Sequence, residues 1–142
     1  IYGPHGGQIS LPGGKMEKTD PDIQATALRE ASEEIGVDIS KIIILGQLTP
    51  LFVPHSNFNI FPVVAFQNES PLFRLNEEEV ESIISIELDE LFNNKNRGVK
   101  SFTSSEKTIS APYYTAKGHI VWGATAMIMS EFESLVKTIR ED

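Results

Sequence analysis

The chain has 142 residues, a formal net charge of −8 and no cysteine. That length suits one domain with a proper core. The missing thiols exclude disulfides and thiolate metal sites, and the acidic balance excludes nonspecific nucleic-acid binding, which needs a basic face. No apolar run reaches membrane-spanning length and no signal peptide is visible, so the expectation is a cytoplasmic protein without a membrane partner. The chain starts at Ile1 rather than Met, so 1–142 is read as a single domain open to truncation at its N terminus.

In chain order, Ile1 to Gly7 is a Gly/Pro-rich loop, and its His5 reads as a solvated side chain. Gln8 to Leu11 is predicted as a short strand. The Pro12-Gly13-Gly14 loop then leads toward a helix with defined ends. Asp20 suits the N-cap, because its carboxylate can accept a bond from an unpaired backbone N–H. Pro21 follows at the first helical position, where its missing N–H costs nothing. Gly36 suits the far end, where a left-handed residue closes the helix without a Cβ penalty. Between them Ala27, Leu28, Ala31 and Ile35 form an apolar stripe. At roughly 100° per residue, Glu30, Glu33 and Glu34 fall on an arc beside it. Like charges at i,i+4 destabilise a helix by a few tenths of a kcal/mol, and a hard divalent cation with oxygen ligands reverses that sign. Taken alone, the Arg29-Glu30-x-x-Glu33-Glu34 string also fits a solvated helix face. Beside a glycine loop it fits a metal–phosphate site.

Beyond the helix, Ile42 to Leu45 is an apolar β-branched run that continues with a kink through Gly46 to Val53. Pro54-His55-Ser56-Asn57 is a turn, and Phe58 to Gln67 is the second strand of a hairpin. Phe58 and Phe61 read as core or pocket wall, with substrate stacking the functional alternative for Phe58. Asn76 to Glu81 is an acidic run that on composition alone is a solvated loop or helix start. Val80 to Glu87 alternates as a strand, and Leu88 to Leu91 makes a helical turn. Asn93 to Ser105 is polar and reads as a mobile loop, its Lys95, Arg97 and Lys100 solvated rather than bound to phosphate. Lys107 to Tyr114 and Gly118 to Val121 form a closing strand pair. A terminal helix follows and ends near Arg140, with Ala124, Met127, Ile128, Phe132, Leu135, Val136 and Ile139 at core-facing spacing. No internal repeat or low-complexity tract appears.

Gly14, Asp20 and the run Arg29-Glu30-x-x-Glu33-Glu34-x-Gly36-Val37 resemble the Nudix box. The departures are Ala31 at an aliphatic position, Asp20 for Glu, and eight residues rather than seven before Arg29. Gly7 with Leu11-Pro12-Gly13-Gly14 is similar to the signature preceding the box in the coenzyme A diphosphatase (pyrophosphatase) subgroup, whose members share the eight-residue gap. Ser56-x-Phe58-x-Ile60-x-Pro62-Val63 and Ile120-x-Trp122-Gly123-x-Thr125-Ala126 resemble the same subgroup. Gly3 stands where that subgroup usually has arginine.

The resemblance implies an α/β fold with a mixed sheet, as a Nudix-type α/β/α sandwich. It implies metal-dependent hydrolysis of coenzyme A or its thioesters to adenosine 3′,5′-bisphosphate and 4′-phosphopantetheine. Mg²⁺ or Mn²⁺ would sit on Glu30, Glu33, Glu34 and the Gly14 carbonyl. Arg29, Glu30, Glu33 and Glu79 would be the catalytic set, with Arg29 holding Glu33 at i+4. Glu79 fits the family's loop acid, with Glu78 as runner-up. Gln8, Gly13, Lys15 and Phe58 would face the substrate. The expected partner is a small nucleotide, with no nucleic acid, and a homodimer is allowed. The alternatives are a Nudix hydrolase of NADH, ADP-ribose or a nucleoside triphosphate, and a ligand-sensing Nudix domain without turnover.

Overall fold

The computed structural model describes residues 8–54, 56–104 and 106–141. The expectations for Ile1 to Gly7, with His5, and for His55 lie outside the described residues. The chain forms two compact units, one of Leu11–Ile83 and one of Gln8–Ser10 with the chain from Ile84 onward.

In the first unit, helix α1 spans Ile23–Ile35. It starts later than expected, because Asp22 rather than Asp20 is the N-cap. The Asp22 backbone is extended, and its carboxylate accepts a bond from the Ala25 N–H at 2.8 Å. Asp20 is buried and its oxygens are committed elsewhere, so the second aspartate caps the helix. Pro21 stands before the cap instead of inside the first turn. The far end follows expectation. Gly36 lies at φ 69° and its N–H donates to the Ser32 carbonyl. The apolar stripe is only half-buried, and Thr26 is the buried residue of the helix. The last turn carries Glu33 and Glu34 and no basic residue.

The predicted hairpin forms as two antiparallel ladders. Strands β1 (Ile43–Gln47) and β4 (Val63–Phe66) pair with Ile43 opposite Phe66 and Gln47 opposite Val63. The expected kink is a register shift between Ile44 and Gly46, the local insertion that bends a strand. Strands β2 (Leu51–Val53) and β3 (Phe58–Ile60) form the tip, with Leu51 opposite Ile60. The single strand predicted over Phe58 to Gln67 is broken at Phe61-Pro62. Pro62 has no N–H for a ladder, although its carbonyl still accepts from the Leu48 N–H at 3.0 Å. Asn57 turns the tip at φ 58°, a conformation Asn tolerates better than most residues.

The second unit is built on strands β5 (Arg97–Ser104), β6 (Lys107–Ala116) and β7 (His119–Val121), in the antiparallel order β5-β6-β7. Lys117 and Gly118 join β6 to β7 with φ of 48° and 85°, as two-residue hairpin turns require. Helix α3 spans Gly123–Glu141 and the short α2 spans Leu88–Leu91. The core gathers Leu91, Phe92, Tyr114, Ala116, Val121 and Ala126, with Ile9, Ile86 and Phe132 packed against it. Phe92 meets Tyr114 and Phe132 at ring separations of 6.3 and 6.1 Å.

Four further expectations are corrected by the structure. Gln8 to Leu11 is not a strand: Ile9 serves as a packing residue without a ladder. Val80 to Glu87 alternates in sequence but pairs with nothing assigned as a strand; Val80 is buried and Ile86 packs on the second core. Asn93 to Ser105 is not a loop, because its second half is β5. The long strand β6 pairs with it from Arg97–Tyr114 to Ser104–Lys107, and such pairing overrides a weak local propensity. Arg97, read as solvated, instead pairs with buried Glu133 at 2.8 Å.

Glu133 is the one buried acid of α3. Its carboxylate accepts the Tyr114 hydroxyl at 2.7 Å and also meets Lys137. Burial alone would push its pKa up, but Lys137, Tyr114 and Arg97 outweigh that and hold it below the usual range. Burial and the Glu133 carboxylate together raise the Tyr114 phenol.

Candidate active site

Three carboxylates converge in the first unit. Oxygens of Glu30, Glu34 and Glu79 all lie within 4.8 Å of one another. Glu30 and Glu34 arrive on one face of α1 because they are four residues apart. Glu79 is brought to them by the chain that follows the hairpin. There the Arg74 N–H donates to the Ile35 carbonyl at 2.8 Å, and the Asn76 N–H to the Glu34 carbonyl at 2.9 Å. These bonds satisfy carbonyls that the end of a helix leaves without partners. Asn76 then opens a turn. Its carbonyl accepts the N–H groups of Glu79 and Val80, and its side chain accepts that of Glu78. Val80 is buried and fixes the turn, so Glu79 and not Glu78 joins the cluster.

The glycine loop closes the other side. The Gly13 N–H donates to Glu34 Oε1 at 3.1 Å. Gly14 lies so close to Glu30 that a methyl group built on its Cα would overlap the Glu30 carboxyl. The loop therefore needs glycine here for space. Burial pushes the Glu34 pKa up, and the Gly13 N–H opposes the rise. The charges of Glu30 and Glu79 add to it, leaving Glu34 at about 7.

Arg29 is the organiser beside the cluster. Its Nε and Nη2 make a two-pronged bond to Asp20 at 3.0 and 2.9 Å. Its Nη1 reaches Glu30 at 3.1 Å and both oxygens of Glu33 at 3.2 and 3.3 Å, and Nη2 also donates to the Lys15 carbonyl at 3.1 Å. Asp20 further accepts from the Thr26 hydroxyl and the Glu17 N–H. The Arg29 guanidinium, helped by these donors, holds the Asp20 carboxyl well below the usual range, and Asp20 in turn raises Arg29. The Arg29–Glu33 contact expected at i+4 is present. The Asp20–Arg29 pair is a positioning contact missed by reading Asp20 as a helix cap, and the second aspartate beyond Pro21 was the signal available.

Of the residues expected at the site, Gly13, Gly14, Arg29, Glu30, Glu34 and Glu79 come together. Glu33 stands outside the three-carboxylate group, exposed and held by Arg29. Lys15 and Phe58 come together, with Lys15 Nζ 4.9 Å from the centre of the Phe58 ring. Gln8 is half-buried and belongs to the second unit.

This donor set fits a hard divalent cation. It offers oxygen ligands from three side chains, and burial, with the charges of Glu30 and Glu79 adding to it, raises the pKa of one of them, Glu34, to about 7. Arg29, the nearest cation described, is already committed to Asp20, Glu30 and Glu33. No helix among the described residues is long and apolar enough to cross a membrane.

The NUDIX domain matches residues 2–104. The chain is 35 % identical over 133 residues to the mitochondrial coenzyme A diphosphatase NUDT8 of Mus musculus, covering 90 % of this chain and 62 % of that protein. Its identity to the Homo sapiens protein of the same name is 34 % over 133 residues, covering 90 % of this chain and 55 % of that one. It is 30 % identical to the Nudix hydrolase NudL of Photorhabdus laumondii, covering 94 % of this chain and 71 % of that protein. The chain thus spans little more than half the length of the two NUDT8 proteins. A box helix with its acid cluster, the glycine loop against it and these matches lead to one statement: the chain belongs to the Nudix hydrolase family, with an α/β Nudix fold.

Proposed function

We propose that the chain hydrolyses the diphosphate bond of coenzyme A or its thioesters, releasing adenosine 3′,5′-bisphosphate and 4′-phosphopantetheine. The observation that carries a hydrolytic reading is the meeting of Glu30, Glu34 and Glu79 on a Nudix helix. The coenzyme A reading is supported by the similarity to proteins named coenzyme A diphosphatase and by the subgroup's strings around the box.

Glu30, Glu34 and Glu79 would hold Mg²⁺ or Mn²⁺, joined by the Gly14 carbonyl and, after a change of side-chain rotamer, by Glu33. Such a cation neutralises diphosphate charge and makes a bound water easier to ionise. The chain's own residues supply the rest. The Gly13 N–H orients the Glu34 carboxylate. Arg29 fixes Glu30 in its rotamer and is itself fixed by Asp20. A Glu79 carboxylate oxygen takes the proton from the attacking water. One P–O bond of the anhydride breaks as water's oxygen bonds to phosphorus, leaving two phosphate monoesters.

The test is product identification after incubation with coenzyme A, with and without Mg²⁺ or Mn²⁺, beside NADH and ADP-ribose. Metal-dependent formation of adenosine 3′,5′-bisphosphate is the expected result. Turnover of NADH or ADP-ribose with coenzyme A untouched would overturn the substrate. No turnover of any of them would overturn the reaction.

A further inference from the structure

Two described cations lie along the glycine loop, and they are used differently. Arg29 is saturated by Asp20, Glu30, Glu33 and the Lys15 carbonyl. Lys15 has no ion pair with any carboxylate among the described residues, although Glu17 and Glu30 are close in sequence or space. Its ammonium instead sits over the face of Phe58, 4.9 Å from the ring centre. That ring is nearly half exposed at the tip of the β2–β3 hairpin. An aromatic face attracts an ammonium through its quadrupole but leaves the other N–H groups open to an acceptor. Backbone bonds hold both ends of the arrangement. The Lys15 carbonyl is tied to Arg29, and Phe58 is paired with Val53.

We infer that Phe58 is a positioning residue that keeps the Lys15 ammonium off the carboxylate cluster and presents it to a phosphate group of the substrate. This deepens the diphosphate-hydrolysis reading and rests on it for the substrate class. In a chain of net charge −8, a lysine next in sequence to Gly14, which lies against the Glu30 carboxyl, has carboxylates to pair with once it leaves the ring. Held on the ring, it is a cation available to the incoming anion. The phosphate is either one of the bridged diphosphate or one on the ribose, and the same chemistry serves both.

The test is calorimetric titration of the full chain, with Mg²⁺ present, by ADP and by adenosine 3′,5′-bisphosphate. Lys15→Met is expected to weaken binding of at least one of the two about tenfold, the scale of one charge-assisted contact. Phe58→Leu is expected to weaken it about two- to fivefold, the scale of an exposed cation–π contact, while Phe58→Trp keeps wild-type affinity. In the Lys15→Met background, Phe58→Leu is expected to add nothing, because the ring acts through the lysine. Weakening confined to ADP assigns the outer phosphate of the diphosphate, weakening of both assigns the 5′-phosphate that the two share, and weakening confined to the bisphosphate assigns the ribose phosphate. The inference is overturned if Lys15→Met binds both as wild type does, if Phe58→Leu costs as much without the lysine, or if wild type binds neither. Coenzyme A turnover by wild type is measured in parallel. An intact cycle without turnover sinks only the substrate reading, and turnover with an additive cycle sinks only the inference.

Discussion

Replacing Glu34 with Gln separates what the acid cluster costs the fold from what it contributes to chemistry. In the folded chain Glu34 titrates at about 7 against an ordinary 4.5, chiefly because it is buried beside Glu30 and Glu79. A carboxyl whose folded pKa is raised binds its proton more tightly when folded. The penalty is therefore absent below pH 4.5, grows as pH rises toward 7, and is complete above it. At about 1.4 kcal/mol per pH unit the rise corresponds to about 3 kcal/mol, and partial solvent access reduces this to about 2 kcal/mol. In EDTA, the Glu34→Gln chain should match wild type at pH 4.5 and exceed it by about 2 kcal/mol at pH 8, or about 6 °C in Tm. Mg²⁺ should stabilise wild type at pH 8 and do little for the variant, and metal-dependent turnover should disappear. Urea unfolding at the two pH values, with EDTA and with Mg²⁺, reads all of this. A variant no more stable than wild type at pH 8 in EDTA would refute the argument that burying the charged Glu34 destabilises the fold.

Glu133→Ala should cost about 1–3 kcal/mol in urea unfolding, because it leaves the buried Tyr114 hydroxyl unpaired while the exposed Arg97 and Lys137 return to solvent; a loss below about 0.5 kcal/mol would show the network to be neutral. Gly14→Ala should leave global stability near wild type but lower kcat about a hundredfold, since the added methyl displaces the Glu30 carboxyl; unchanged kcat would place Glu30 outside the chemistry. Asp20→Asn should free Arg29 from its two-pronged bond and lower kcat without altering the far-UV spectrum, with a wild-type rate the contrary result.

Much of the site was legible because it is local. Glu30, Glu33 and Glu34 share a helix, so their spacing alone places them, and Gly13-Gly14 lies close before them in the chain. Gly36 was readable because a left-handed backbone has few suitable residues, whereas Gly118, read as the start of a strand, instead belongs to the turn with Lys117. The failures are non-local. Asp20 and Asp22 are equally good caps by type, and only the demand of Arg29 for a carboxylate decides between them. β5 looked like a loop because its polar residues become a strand only through pairing with β6. Val80 to Glu87 alternates as a strand should, yet alternation supplies no partner. Glu79 stood out from Glu78 only through the family pattern; its arrival at the cluster depends on Asn76 bonding to the Glu34 carbonyl, which no spacing rule reveals.

The polarity of α1 adds to the field at the carboxylates. Its peptide dipoles run so that the carbonyl end, where Glu33 and Glu34 stand without a basic residue in the last turn, carries about half a negative charge. Most helices place cations there; this one places acids. The helix is thus set against its own electrostatics until a cation arrives, and a bound cation meets the macrodipole as well as the carboxylates. Free divalent cation concentration should consequently act as a stability variable for the folded chain, shifting the unfolding equilibrium by mass action even when no substrate is present.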